Sequence, residues 1–458
     1  MIATKWLGRT VWLMAGGLCS SAAAQADPAV LADFGKRVFF DEISNPTGMS
    51  CATCHVPGTG WTGGSEAINS GPVVVPGVAG TSGRRKPPAA AYASFSPTFS
   101  VGALCANEIV AAACVGGVFW DGRATGTAIG DEVFGDDSAL QAAYAGFLGP
   151  VADQALGPFA NPDEMNMPLG NDNGLPGAES VCRHVAAAAY AGLYEQAWNE
   201  PIDCEVTGVA ISFKRIAVAI SAFEHSSEVN SFSSPRDLAL AADIDGTFPL
   251  DGFTDAENLG HDLFFGVTSE LNPQGKDAQC ALCHSSGGST EDPGELYTDH
   301  AYHALGIPPN FDIASFDAAA PDTGLAARLS ATPLTSALSG AFKTPTLRNV
   351  DQRPSAGFTK AYMHNGYFKS LEDVVHFYNT ATLKQDAERC PAGTTAAQAR
   401  ALDCWPAPEL ATAGLASGAG LLGDLGLTTA EEAALVAYLK TLNDTQAVTP
   451  PVPLAAAE

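Results

Sequence analysis

Cys51-Ala52-Thr53-Cys54-His55 and Cys280-Ala281-Leu282-Cys283-His284 are the two stretches that decide how this chain is organised. Two thiols at this spacing can bond to the two vinyl groups of one haem, and the adjacent histidine then reaches the haem iron from one side. A zinc site would need further cysteine or histidine ligands at compatible spacing. The two motifs therefore predict two covalently bound c-type haems, with His55 and His284 as the proximal iron ligands.

Each haem motif follows the same lead-in sequence. Gly35 and Gly260 each begin a Gly-x-x-x-Phe-Phe segment, and a polar, glycine-containing loop then leads into the cysteine motif. Chance could explain the two Phe pairs, but it does not explain their shared position before both motifs. Repetition of a whole supersecondary unit predicts two related haem domains.

Composition indicates where one domain ends and the next begins. The stretch Ser233–Gly252 is rich in Ser, Pro, Asp and Gly, which is typical of a linker. We therefore predict an N-terminal haem domain at 27–240 and a C-terminal haem domain at 241–445. The Pro/Ala-rich end of the chain, 446–458, is predicted to be disordered.

The remaining patterns favour helices. Ile211–Glu224 carries apolar residues at helical spacing. Thr254 is a typical N-cap for the helix that follows it, and Thr428 with Glu431 forms a capping-box pattern. Strand patterns are scarce, and Gly/Ala/Pro-rich stretches are long. We predict a mainly α fold made of two cytochrome c-like haem domains with long irregular loops.

The N-terminus is typical of a secretory signal. Lys5 and Arg9 supply the positive start, Val11–Leu18 is apolar, and Ala24-Gln25-Ala26 offers a small-residue cleavage site. The apolar run is too short to span a bilayer. We predict that residues 1–26 are a signal peptide and that the mature protein is periplasmic and not an integral membrane protein. Cys19 raises a lipoprotein alternative, although the Leu before it fits that signal poorly.

Charge narrows the range of partners. The 458 residues include 50 Asp and Glu against 23 Lys and Arg, for a formal net charge of −27. Nucleic acid demands a surface rich in Lys and Arg. We therefore exclude nucleic acid as a partner.

The cysteines outside the two haem motifs support export. Cys19 lies in the signal, and the other six form three local pairs: Cys105 and Cys114, Cys182 and Cys204, Cys390 and Cys404. An oxidising compartment allows such pairs to close as disulfides. Some of these thiols could instead be free and buried, but an even count in an exported chain favours bridges.

The ligand opposite each proximal histidine determines what the haem can do. A site closed by a second strong ligand favours electron transfer, whereas an open site admits peroxide. After His55 there is no further His until His184 and no Met until Met165. We predict that the first haem is five-coordinate or water-bound, unless a distant histidine folds back onto it.

Further motifs occur in a fixed order along the chain. They are Phe119-Trp120-Asp121-Gly122-Arg123, Gln154-Ala155-Leu156-Gly157-Pro158, Asn161-Pro162-Asp163-Glu164-Met165, Phe342-Lys343-Thr344-Pro345-Thr346-Leu347-Arg348-Asn349, Tyr362-Met363-His364-Asn365-Gly366 and Phe377-Tyr378-Asn379. With the two haem motifs, this series resembles the bacterial di-haem cytochrome c peroxidase family, and within it the MauG-like branch. The resemblance covers nearly the whole mature chain. It implies a peroxidatic N-terminal haem and an electron-transfer C-terminal haem.

The resemblance assigns roles around the first haem. Trp120 matches the tryptophan between the haems, an electron conduit, while Gln154, Pro158 and Glu164 match residues on the distal side. Chemistry supports Glu164 independently, because peroxide cleavage needs a group that moves a proton between the two oxygens. A carboxyl in an apolar pocket can have the raised pKa that suits this task. A surface glutamate at a helix start is the alternative.

The second haem separates the branches of the family. In the peroxidases a methionine is the distal ligand, and here the matching position holds Tyr378. MauG-like proteins have His/Tyr ligation, so the resemblance implies that His284 and Tyr378 ligate the second iron. A phenolate favours ferric over ferrous iron. The alternative is that Tyr378 only packs in its helix and that Met363 or His376 is the ligand.

Two positions depart from the family pattern. Relatives bind calcium between the haems through an Asn side chain and two backbone carbonyls. The carbonyl positions match Thr359 and Ala361, which implies a calcium ion, but the Asn position holds Tyr92. MauG itself has a Trp two residues before its second motif, where this chain has Ala278. Electrons from a protein substrate would then enter by another route.

Three functional hypotheses follow. The leading one is a MauG-like peroxidase that uses hydrogen peroxide to oxidise an external donor, including Trp or Tyr side chains of a partner protein. The second is a scavenging peroxidase that takes electrons from a small cytochrome or copper protein. The third is a pure electron carrier with both irons saturated by ligands.

Overall fold

The computed structural model describes residues 26–78, 80–101, 114–329, 338–410 and 422–451. The predicted signal peptide, apart from Ala26, lies outside these residues, as do Cys105 and the last part of the predicted tail. In the described part of the chain, no helix is both long enough and apolar enough to cross a membrane.

Helices make up most of the regular structure. They are α1 (Pro28–Phe40), α2 (Cys51–Cys54), α3 (Glu66–Ser70), α4 (Ser138–Tyr144), α5 (Pro150–Ala155), α6 (Ala178–Ala187), α7 (Ala191–Trp198), α8 (Val209–Glu224), α9 (Pro235–Ala242), α10 (Asp255–Phe265), α11 (Leu371–Lys384), α12 (Ala396–Leu402) and α13 (Thr429–Lys440). Long loops and short 3-10 turns connect them. The prediction of a mainly helical fold is confirmed.

The strands are short and form two antiparallel pairs. Strand β1 (Ser100–Val101) pairs with β2 (Cys114–Val115), and β3 (Tyr302–Ala304) pairs with β4 (Ala341–Lys343). In the second pair, Tyr302 lies opposite Lys343 and Ala304 opposite Ala341. These pairs hold loops in place near the cavities described below and do not form a sheet core.

The glycine of each lead-in segment lies where two helices cross. A Cβ atom on Gly35 of α1 would lie 1.7 Å from the carbonyl oxygen of Ala219 in α8. A Cβ atom on Gly260 of α10 would lie 2.1 Å from the carbonyl oxygen of Ala434 in α13. No side chain fits at either distance, so only glycine permits the approach. The repeated sequence therefore produces the same kind of helix crossing twice. This repeated crossing supports the prediction of two cytochrome c-like domains.

Local capping signals are found where the sequence predicts them. Thr254 caps α10 together with Glu257, and Thr428 caps α13 together with Glu431. In both capping boxes the Thr side chain accepts a backbone N–H, and the Glu side chain accepts the N–H of the Thr. The predicted helix at Ile211–Glu224 begins at Val209 instead.

Two large hydrophobic clusters form most of the core in the described part of the chain. The first packs α1, α5, α6, α7 and α8, with Phe39 of the first lead-in 1% exposed. The second packs α10, α11 and α13 around Phe264 of the second lead-in. Disulfides Cys182–Cys204 and Cys390–Cys404 close as predicted. The third predicted pair includes Cys105, which lies outside the described residues.

The predicted linker contains a helix. Ser234 caps α9, and the side chain of Arg236, which lies in the predicted linker, is fully buried. Ser, Pro and Asp also begin helices, so their presence does not by itself mark an irregular segment. The predicted disordered tail likewise starts as an ordered segment, because Val448 packs against the first core cluster.

Candidate functional site

A cavity of about 500 Å³ surrounds the first haem motif; we call it the first cavity. Cys51, Cys54 and His55 line it, as do Gln154, Pro158 and Glu164 from the opposing segment. A second cavity of about 210 Å³ surrounds the second haem motif and is lined by Cys280, Cys283, His284 and Tyr378. The structure thus brings the predicted haem-binding and distal residues together at two sites.

The first motif is held by a short capped turn. Ser50 precedes α2 and forms a capping box with Thr53. His55 follows the turn, and its Nδ1 lies 3.2 Å from the carbonyl oxygen of Trp61. Burial lowers the pKa of His55, so the ring is neutral and Nδ1 carries the proton that the carbonyl accepts. Its Nε2 is then free to bind a metal, which is what a proximal haem ligand requires.

The second motif repeats this arrangement on a different turn. A 3-10 turn, Cys280–Leu282, leads into His284, whose Nδ1 lies 2.9 Å from the carbonyl oxygen of Tyr297. Burial also lowers the pKa of His284. Both histidines therefore have the same tautomer, fixed by a main-chain carbonyl, and both leave Nε2 available.

The cysteines complete the fit to c-type haem. All four thiols of the two motifs are unpaired, while the local pairs elsewhere in the described chain form disulfides. Burial raises the pKa of Cys54 to about 12, which keeps it a thiol and not a thiolate metal ligand. Paired thiols that line large cavities beside a histidine suit thioether formation better than zinc binding.

A tight turn positions Glu164 on the wall of the first cavity. Asn161 accepts the N–H of Asp163 at 3.0 Å and donates through Nδ2 to Glu164 Oε1 at 2.7 Å. Burial raises the pKa of Glu164, and the hydrogen bond from Asn161 opposes the rise. Gln154 lies on α5 and Pro158 at the start of the same turn, so the three predicted distal residues share one wall.

Other possible ligands also line the first cavity. His184 does not: its Nε2 lies 2.9 Å from Asp41 Oδ2, outside the cavity wall. Met49, Met165 and His300 do line it, and each carries a donor atom that iron accepts. The open face of the first haem therefore stays a prediction.

Glu224 is a site residue that the sequence analysis missed. It ends α8, is 5% exposed, and lines the first cavity beside Cys51. Burial raises its pKa to about 8, so it is a neutral acid at pH 7. The only sequence signal was an acidic residue at the end of an otherwise apolar helix.

Trp120 lies in the wall between the cavities and lines both of them. Its indole Nε1 donates to the carbonyl oxygen of Lys86 at 2.7 Å. Its own carbonyl oxygen accepts the N–H of Lys343 at 2.9 Å, which ties the tryptophan to β4. An aromatic ring that borders both haem cavities is well placed to connect them electronically.

Tyr378 lies on α11 with its side chain lining the second cavity. Burial raises the pKa of its phenol, and no hydrogen bond from the described residues reaches the hydroxyl. His376, one alternative ligand, is committed elsewhere: its Nδ1 lies 2.9 Å from Glu432 Oε1, and it does not line the cavity. Met363 does line the cavity and remains an alternative.

The residues matched to a calcium site do not fit calcium. The Tyr92 hydroxyl donates to Asp444 Oδ2 at 2.8 Å, and Tyr92 lines the first cavity, whereas Ala361 lines the second. The carbonyl oxygen of Thr359 already accepts the Asn69 side-chain amide at 3.1 Å. Calcium takes six to eight converging oxygen ligands, and two of the three matched oxygens already have other hydrogen-bond partners.

Buried lysines occupy this region instead. Lys360 lies between Thr359 and Ala361 in the sequence. Burial lowers the pKa of Lys360, and the positive charge of Lys86 lowers it further. A positive charge near this position repels a divalent cation, and the repulsion is stronger in the protein interior than in water. Neither lysine stands out in the sequence, because only the tertiary structure buries them.

Comparisons with known proteins agree with this geometry. Residues 29–245 match the family described as di-haem cytochrome c peroxidase. The methylamine utilization protein MauG of Paracoccus denitrificans is 30% identical over 432 residues, covering 93% of this chain and 92% of that protein. The cytochrome-c peroxidase IdrP2 of Pseudomonas sp. strain SCT is 23% identical, covering 92% of this chain and 83% of that protein.

A solved structure is similar as well. The diheme peroxidase BthA from Burkholderia thailandensis superposes with a TM-score of 0.63 at 26% identity, covering 95% of this chain and 92% of that chain. The likeness thus extends over both haem motifs and over the segments that line the two cavities.

Proposed function

The chain belongs to the di-haem cytochrome c peroxidase family, and from that premise we propose that it is a MauG-like peroxidase that oxidises side chains of a partner protein. Family membership implies two c-type haems and a peroxidase activity. The finer proposal concerns the donor: tyrosine or tryptophan side chains of a protein, with hydrogen peroxide as the oxidant.

Tyr378 is the observation that carries this proposal. Tyr378 lines the second cavity, and no hydrogen bond from the described residues reaches its hydroxyl. The resemblance implies that scavenging peroxidases have Met at this position. An anionic oxygen ligand stabilises ferric iron over ferrous iron. A haem held in this way need not be reduced before it meets peroxide, which suits the oxidation of side chains.

We assign proton transfer in the first cavity to Glu164. Bound haem supplies the iron at which peroxide reacts and the oxidising equivalents that leave the site. Glu164 accepts a proton from one peroxide oxygen and returns it to the oxygen that leaves as water. Gln154 holds peroxide or water by hydrogen bonds, and Pro158 excludes a strong ligand from that wall.

Trp120 is the proposed connection between the two haems. It borders both cavities, and its two main-chain and side-chain hydrogen bonds hold the ring in a fixed position. Oxidation of an indole ring does not require the ring to give up its proton at once, so a tryptophan can pass an electron without a nearby base.

We further propose that the protein acts in the periplasm. The N-terminal signal pattern supports export. The disulfides Cys182–Cys204 and Cys390–Cys404 support an oxidising compartment, since such bonds are rare in the cytosol.

One observation favours the rival proposal, a scavenging peroxidase. Ala278, two residues before the second motif, is 1% exposed, so no aromatic side chain stands there to receive electrons from a docked protein substrate. The relative IdrP2 is itself named a cytochrome-c peroxidase. A reduced cytochrome or copper protein would then be the donor.

Two assays on the purified two-haem protein separate the proposals. One follows the oxidation of reduced cytochrome c or reduced copper protein by hydrogen peroxide. The other uses mass spectrometry to detect oxidised tyrosine and tryptophan esters after peroxide is added. Slow turnover with both proteins and covalent oxidation of the esters support our proposal. Rapid turnover with either protein and unmodified esters would favour scavenging.

A further inference from the structure

Lys86 occupies the wall that separates the two cavities and lines both of them. Its backbone is held from both sides. The N–H of Lys86 donates to the carbonyl oxygen of His364 at 2.8 Å, and its carbonyl oxygen accepts Trp120 Nε1 at 2.7 Å. The position of this residue is therefore fixed relative to both haem sites.

The side chain of Lys86 is buried but has no carboxylate partner in the described part of the chain. It is 8% exposed, and its Nζ donates to Thr62 Oγ1 at 2.7 Å and to the carbonyl oxygen of Pro87 at 3.1 Å. No described residue forms an ion pair with it. Neutral oxygens alone compensate poorly for the removal of an ammonium group from water.

A second buried lysine lies behind the first. Lys360 is 4% exposed and lines the second cavity. Its Nζ donates to the carbonyl oxygens of Asn349 at 2.7 Å and Gln352 at 3.2 Å. Among the described residues it has no ion-pair partner either, and the nearby Asp351 carboxylate accepts hydrogen bonds from Arg353 and Tyr362.

We propose that the ammonium group of Lys86, with Lys360 behind it, is the fixed cation between the two haem sites, and that this protein holds no calcium there. The inference rests on the proposed two-haem function. Every haem carries propionate carboxylates, and a lysine that lines both cavities and has no carboxylate partner among the described residues is positioned to neutralise them.

The oxygen atoms of this region support the same conclusion. The carbonyls of Asn349 and Gln352 are already used by Lys360, and that of Thr359 by Asn69. A calcium ion would need to displace these donors and bring in carboxylates. It would also stand beside the Nζ atoms of two lysines, and Lys86 already acts as a positive charge on Lys360. The protein supplies its own cation, so a bound metal ion has neither the ligands nor the charge balance that it needs.

Metal analysis of the intact protein is the first test. The protein is purified with both haems, passed through a column without chelator, and analysed for iron and calcium by mass spectrometry. We expect two iron atoms per chain and no stoichiometric calcium. Treatment with the chelator EGTA should leave the haem absorption and paramagnetic resonance spectra unchanged. One calcium per chain, with spectra that change when EGTA removes it, would overturn the inference.

Variants of Lys86 test its charge directly. Removal of a positive charge near both irons favours their ferric forms, so Lys86→Met should lower the midpoint potentials of both haems, whereas Lys86→Arg should not. Lys369→Met is the matched control, because Lys369 is a partly buried lysine bonded to the carbonyl oxygen of Asn69 and lines neither cavity. Unchanged potentials in Lys86→Met would contradict the inference.

The outcomes separate this inference from the proposed function. If the protein contains fewer than two iron atoms per chain, the two-haem function fails. If it contains two iron atoms and one calcium, only the lysine inference fails. If Lys86→Met does not take up haem, the calcium content of the unmodified protein still decides the question.

Discussion

The two cavities are alike on the proximal side and differ on the opposite side. In each, a neutral histidine donates Nδ1–H to a main-chain carbonyl, that of Trp61 in the first and that of Tyr297 in the second. The first cavity then presents a carboxyl group, Glu164, and the second presents a phenol, Tyr378. The two cavities therefore share the arrangement around the histidine and differ in the side chain that the proposed function places opposite it.

Glu164→Gln should have the largest effect, a loss of the reaction with peroxide in the first cavity. The amide keeps the size of the side chain but cannot accept a proton, so the rate of reaction with peroxide should fall by roughly 10²- to 10⁴-fold. Stopped-flow absorption measures that rate, and the spectrum of the second haem should stay the same. Glu195→Gln, an exposed glutamate on α7, is the control. An unaffected rate would mean that another group moves the proton.

Tyr378→Phe should change the second site and leave the first alone. Loss of an anionic oxygen ligand should raise the midpoint potential of the second haem by roughly 0.2 V, since axial ligands set haem potentials over a wide range. Spectroelectrochemical titration measures it. Tyr367→Phe is the control, because the Tyr367 hydroxyl donates to the carbonyl oxygen of Thr394 and Tyr367 does not line the cavity. If the potential does not move, Met363 becomes the preferred ligand.

Trp120→Phe tests whether the two sites communicate through the shared wall. We expect the response of the second haem to peroxide to slow by roughly tenfold, or about 1.4 kcal/mol in activation free energy. Both resting spectra should be preserved. Trp405→Phe is the matched control: Trp405 is buried, its Nε1 donates to Thr380 at 3.0 Å, and it lines neither cavity. Equal slowing in both variants would assign the effect to lost packing.

The smallest expected effect is a shift in the pH profile of the peroxide reaction. Burial raises the pKa of Glu164, and the group must be ionised to accept a proton. The rate should therefore fall as pH drops through a value above the ordinary 4.5 of a glutamate. Asn161→Ala removes the hydrogen bond that favours the ionised form, so the profile should shift to higher pH. A shift to lower pH would contradict this account of the turn.

Local sequence was enough to predict the proximal half of each site. The Cys-x-x-Cys-His spacing and the capping patterns act through a few neighbouring residues, so the two haem motifs and the caps at Thr254 and Thr428 could be found directly. The repeated glycines indicated a shared unit, but their contacts with Ala219 and Ala434 depend on the tertiary structure. Helix α9 could also have been found, since Ser234, Pro235 and Asp237 form an N-terminal capping pattern.

The groups that give each cavity its electrostatics could not be predicted in this way. Glu224, Lys86 and Lys360 have altered pKa values because distant segments bury them, and no local pattern records that burial. The contacts of Tyr92 also depend on distant segments. The resemblance matched Tyr92 to a calcium ligand, but its hydroxyl donates to Asp444 and its ring packs against Phe232.

Low-temperature electron paramagnetic resonance of the ferric two-haem protein tests the difference between the sites most directly. We predict one high-spin signal from the haem at His55 and one low-spin signal from the haem at His284, in equal amounts, and a loss of both after one equivalent of peroxide. Two low-spin signals that peroxide leaves unchanged would mean that both irons are closed by protein ligands, and the account would be wrong.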